Sequence, residues 1–152
     1  MKLTLSASAL LLTIMLPFAA HADIPGHHPG YLHALTDLRD ARWNLEHRPG
    51  DAAVSRQEDV AINEIDQAID AVQRLAIADG KDLYNKPQED VRIDHPGRLH
   101  HALDLLKQAH NDLAQEEDNP TVHELQHHAF EHLDNAIHAT DHAVHEVEYN
   151  RY

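Results

Sequence analysis

Ala61-Ile62-Asn63-Glu64-Ile65-Asp66-Gln67-Ala68-Ile69 and Ala129-Phe130-Glu131-His132-Leu133-Asp134-Asn135-Ala136-Ile137 carry one pattern written twice, 68 residues apart. An earlier match, His28-Pro29-Gly30-Tyr31-Leu32-His33 with His95-Pro96-Gly97-Arg98-Leu99-His100, has a spacing of 67. Allowing one extra residue at His101, it continues at 68 and pairs Ala34, Leu35, Leu38, Ala41 and Leu45 with Ala102, Leu103, Leu106, Ala109 and Leu113. Agreement at so many apolar positions predicts a tandem duplication. Chance likeness between low-complexity helical segments is the competing explanation.

The spacing of the apolar residues identifies the duplicated element. Ile62, Ile65, Ile69, Val72 and Ala76 lie three or four apart, as do Leu99, Ala102, Leu106, Ala109 and Leu113, so each set forms one stripe along a helix. No stretch alternates with period two. Helices are expected at about 30–47, 52–79, 97–117 and 120–149. Pro49-Gly50-Asp51 and Asp118-Asn119-Pro120 separate the helices within each hairpin, and Gly80 stands where a C-cap belongs. The hairpins therefore run from about 28 to 80 and from about 95 to 150, joined by a polar linker at 81–94 that is long enough to reach along the bundle.

One amphipathic hairpin cannot bury its own stripe, whereas two can close a core. The expected fold is thus all-α, an antiparallel four-helix bundle. A homodimer of longer, looser hairpins is the alternative.

Ahead of the repeats lies a different kind of segment. Lys2 precedes an almost unbroken apolar run from Leu10 to Ala20, which ends in Ala20-His21-Ala22. Such an order predicts a signal peptide over residues 1–22, cut after Ala22, and hence a periplasmic or secreted protein. The run is too short for a membrane-spanning helix, so the mature chain is not expected to span a membrane.

The remaining 130 residues suit one domain. Without Lys2, the 12 basic residues become 11 against 26 acidic ones, a net charge of about −15, which argues against nucleic acid and anionic membranes as partners. There is no cysteine, and both methionines lie in the leader; disulfides, thiolate sites and thioether copper(I) sites are excluded. Histidine is the anomaly, with 15 of its 16 residues in the mature chain.

Seven of these belong to the last helix. On a helical projection Val122, Ala129, Leu133, Ala136, Ile137, Thr140, Val144 and Val147 cluster on one side. His127, Glu131, His138, His142 and His145 fall opposite, with Asp134 and Asp141 along the border. His138 and His142 are four apart and His142 and His145 three apart, so neighbouring imidazoles share a face; His123 with His127 repeats the four-residue spacing. Neutral imidazole suits zinc, nickel, cobalt or copper(II), and Glu131 or Asp141 could add an oxygen ligand. A plainer reading treats the histidines as a solvated face that moderates an acidic chain.

A second, weaker cluster consists of His27, His28, His95, His100 and His101. It forms only if the starts of the first and third helices share one end of the bundle, as expected here; otherwise the His-Pro-Gly segments are helix-entry turns. His110 and its counterpart Arg42 lie near the core, where a carboxylate such as Asp66 or Asp134 would satisfy them. A haem or metal ligand inside the bundle is the sharper reading of His110. The chain has no Cys-x-x-Cys-His attachment and no axial methionine, which argues against haem. Trp43, Tyr149 and Tyr152 read as packing or end residues.

Asp79-Gly80-Lys81-Asp82 lacks the further ligands of a calcium loop, and no catalytic motif stands out. The chain is therefore read as a non-enzyme. Its opening His28-Pro29-Gly30-Tyr31-Leu32-His33-Ala34-Leu35, the Asp37-Leu38-Arg39-x-Ala41-Arg42-Trp43 run and Ala61-Ile62-x-Glu64-Ile65-Asp66 resemble small, exported helical-bundle proteins of bacteria. That resemblance implies the fold and export, and carries no activity with it. The expected function is binding or buffering of divalent transition metals; the alternative is a structural bundle that responds to acid stress.

Overall fold

Helix α1 (Tyr31–Glu46) and helix α3 (Arg98–Leu113) are short, while α2 (Arg56–Ala78) and α4 (His123–Tyr149) are long. They belong to a computed structural model that describes residues 30–47, 56–87, 97–115, 117 and 119–149. The expected leader and the Pro49-Gly50-Asp51 turn lie outside the described residues, as do Tyr152 and the second half of the linker.

Each helix forms where the apolar stripe predicted it and ends for a local reason. At the end of α2, Lys81 N–H donates to the Ala76 carbonyl at 2.8 Å and Gly80 N–H to that of Ile77 at 3.0 Å, the bond pair of a Schellman cap. The third helix stops at Leu113, short of the expected 117, and α4 begins at His123 instead of 120. In between, Asn119 organises the turn: its Oδ1 accepts from Thr121 N–H at 3.1 Å, and its carbonyl accepts from Val122 N–H at 3.2 Å. The side-chain bond of Asn119 thus competes with helix at the residues that periodicity alone assigned to it.

The four helices form the expected all-α bundle. Around its section the order is α1, α2, α4, α3, so α1 lies diagonal to α4 and α2 to α3. Leu35, Leu38, Leu45, Ile65, Val72, Leu75, Leu105, Leu106, Leu113 and Leu133 are fully buried in one core. The most extensive pairing is α2 with α4, and both helices bury small residues, Ala61 and Ala68 on one and Ala129, Ala136 and Ala143 on the other. Alanine at these sites lets the two backbones approach closely.

Every neighbouring pair is antiparallel. Gly30 N–H at the start of α1 donates to the Asp112 carbonyl near the end of α3 at 2.9 Å, while Arg98 at the start of α3 donates to the Asn44 carbonyl near the end of α1 at 3.3 Å. Helices α2 and α3 therefore run the same way on opposite corners, and their connection must travel the length of the bundle, about 24 Å for a 16-residue α1. Its described part sets out along α1: Leu83 packs on the core and the Pro87 carbonyl accepts from Thr36 Oγ1 at 3.3 Å.

Several contacts recur with an offset of 68. Arg42 Nε meets Asp66 at 2.5 Å across α1 and α2; His110 Nε2 meets Asp134 at 3.4 Å across α3 and α4. Asn44 and Asp112, the two carbonyls that receive the opposite helix start, are also 68 apart. Glu64 and His132, themselves 68 apart, face each other across α2 and α4 at 2.8 Å.

Candidate functional site

The outer face of α4 is set by what its inner face buries. Ala129, Leu133, Ala136, Ala139, Thr140, Ala143 and Val144 are buried, and the Thr140 hydroxyl is satisfied by the Ala136 carbonyl at 2.8 Å. By helical geometry His123, His127, Glu131, His138, His142 and His145 must then point away, and all six are exposed. Asp141 is half-buried at the border. Two imidazoles of this face lie beside carboxylates: His128 with Glu131 at 3.7 Å, and His145 Nε2 with Asp141 at 3.5 Å. His123 sits apart at the helix start, its Nε2 at 3.0 Å from the Glu117 carbonyl.

Glu148, one residue before the end of α4, is the residue that periodicity did not single out. Its Oε1 lies 3.4 Å from His100 Nε2 on α3, and its Oε2 lies 4.0 Å from His145 Nδ1. This joins His100 from the second predicted cluster to Asp141 and His145 from the first. Only the antiparallel register of α3 and α4, which sequence spacing does not encode, brings 100 and 148 together.

The shared end expected to gather the second cluster is not formed. The starts of α1 and α3 lie at opposite ends, because α1 and α3 are antiparallel neighbours and the linker carries the chain back along the bundle. His100 and His101 are near one end beside Asn44, whereas Gly30, which follows His27 and His28 in the chain, is at the other. His27, His28 and His95 themselves lie outside the described residues.

His110 takes the role expected of a core-edge residue. It bonds Asp134 and meets Phe130 edge-on at 5.0 Å, with 37% of its side chain exposed. In the first hairpin Arg42 does the same work with a permanent charge, and the bond to Asp66 pushes the guanidinium pKa above its ordinary value.

Buried polar groups at the bundle ends escaped sequence reading. Tyr31 is fully buried and donates to the Glu117 carboxylate; burial first, and then that bond, drive its phenol pKa upward. Arg98, which occupies the place of Tyr31 in the second repeat, donates instead to the buried Glu58. Such contacts tie the helix ends together. Trp43 and Tyr149 are exposed end residues; Trp43 stacks on His47 with centroids 4.2 Å apart.

Among the described residues no three His, Asp or Glu side chains already converge at metal-ligand distance. None of the described helices is long and apolar enough to cross a membrane. Comparison with protein-family models, with curated proteins and with solved structures found no match.

Proposed function

We propose that this chain is an exported, non-enzymatic binder or buffer of divalent transition metals, drawing on the histidine and carboxylate face of α4. The resemblance to small exported bacterial bundles and the leader-like start support export to a periplasmic or external space. Zinc, nickel, cobalt and copper(II) are the ions that imidazole with carboxylate favours.

One observation carries the reading. Helices α2 and α4 hold equivalent places in the two hairpins, yet α2 contains no histidine and α4 contains seven. At an offset of 68, the counterparts of His123, His127, His128, His132, His138, His142 and His145 are Ser55, Asp59, Val60, Glu64, Asp70, Arg74 and Ile77. A long helix of this bundle is thus built without imidazole, so the seven on α4 answer a need other than folding. The contacts recurring at the same offset also support descent of the two hairpins by tandem duplication.

Titration of the mature, tag-free protein with zinc, nickel and copper(II) tests the proposal. Binding tighter than about 100 µM is expected. Its absence for all three ions would sink the reading.

A second reading, an acid-responsive structural bundle, is favoured by the His110–Asp134 pair. There the second hairpin uses a group that is charged only when protonated in the place of Arg42.

A further inference from the structure

We infer that the tightest metal seat bridges α3 and α4, with His100, His145 and Glu148 as ligands and Asp141 as a positioning residue. The inference rests on the metal-binding reading and deepens it by locating one site.

Glu148 is the centre of the arrangement, since each of its carboxylate oxygens has an imidazole nitrogen beside it. The 3.4 Å between His100 Nε2 and Glu148 Oε1 matches the distance of about 3.3 Å between two donor atoms on a tetrahedral zinc with bonds near 2.05 Å. On the other side, His145 Nδ1 and Glu148 Oε2 stand 4.0 Å apart, too far for a hydrogen bond, and must close by about 0.7 Å to share one ion. Two imidazoles and one carboxylate oxygen supply three ligands of a tetrahedral ion and leave the fourth position to water.

Asp141 decides which nitrogen of His145 can serve. Its Oδ2 lies 3.5 Å from Nε2, on the side of the ring away from Glu148, so a slight closing of that gap lets it take the ring N–H and leaves Nδ1, the nitrogen nearer Glu148, to bind the ion. A carboxylate behind a ligating histidine fixes the tautomer and makes the ligand more basic. This gives Asp141 a role other than the direct ligation expected from sequence.

Only His100 has a counterpart in the other hairpin, His33; the two α4 ligands have none. At the position equivalent to His145 stands Ile77, 61% exposed, and at that of Glu148 stands Gly80. The bundle end closes without these side chains there, so their presence in the second hairpin is not a packing requirement. His145 and Glu148, 71% and 54% exposed, have the freedom to close on an ion by rotamer changes alone.

Full-length mature protein is titrated with zinc alone, as wild type and as His100→Ala, Glu148→Gln, Asp141→Asn and His47→Ala. Melting in chelator confirms that each variant is folded. His100→Ala and Glu148→Gln should each weaken the first zinc site at least tenfold, Asp141→Asn by less, and His47→Ala should leave it unchanged. Zinc should also raise the melting temperature of wild type more than that of His100→Ala, because the ion ties two helices together. First-site affinity within twofold of wild type in both His100→Ala and Glu148→Gln overturns the seat while leaving the broader reading standing. A wild type that binds no zinc, nickel or copper(II) overturns both.

Discussion

Gly97 enters α3 with φ 134° and ψ 141°, a region that essentially only glycine occupies. Gly97→Ala should therefore destabilise the bundle by about 1–3 kcal/mol. Gly30, its counterpart, has an ordinary φ of −73° and is small for a different reason: an added Cβ would stand 3.3 Å from Asp112 Cβ. Gly30→Ala needs only a slight shift of that side chain and should cost less. Chemical denaturation of both variants checks the order, and equal losses would contradict it. Sequence reading correctly took the His-Pro-Gly segments as helix entries. It could not tell these two glycines apart, because the distinction lies in what each start rests against. For His110 it went further, since a polar residue on an apolar stripe must find a partner, and Asp134 was within the short list that helical spacing allows.

Among elements, the contact of α2 with α4 is the most demanding, since both helices bury alanines that leave no room for larger side chains. Ala136→Leu should overpack this contact and cost about 1–3 kcal/mol, measured as a fall in the denaturation midpoint. An unchanged midpoint would mean that the helices are farther apart than described. The inward positions Ala129, Leu133, Ala136, Thr140 and Val144 were legible from the 3.6-residue period, and so was the outward set of histidines. Ala139 and Ala143 were not read as core, and Val147, expected inside, is exposed. Alanine gives a weak hydrophobic signal, and α4 is covered by two neighbours instead of one, which widens and turns its buried arc beyond a single stripe.

For the whole molecule, four helices and their all-α packing followed from repeats, periodicity and breakers. Their order around the core did not. A linker of this length permits either direction for α3, and only the packed structure shows the reversal that separates the two helix starts and carries His100 to Glu148. Charge is the other property of the whole chain. The whole chain carries a net charge of −14 with its 16 histidines neutral, and protonating imidazoles of reference pKa about 6.5 brings it to about zero before most carboxylates titrate. If the acid-responsive reading holds, light scattering at moderate salt should rise between pH 7.5 and 5. A flat profile removes that reading and leaves metal capture without its rival.

The central claim is that the α4 histidines serve metal and not the fold. Its most direct test is zinc titration of a variant in which all seven, from His123 to His145, are replaced by glutamine, with melting in chelator alongside. The account predicts a folded bundle that melts within a few degrees of wild type and has lost zinc binding tighter than about 100 µM. Undiminished binding, or collapse of the metal-free fold, would contradict it.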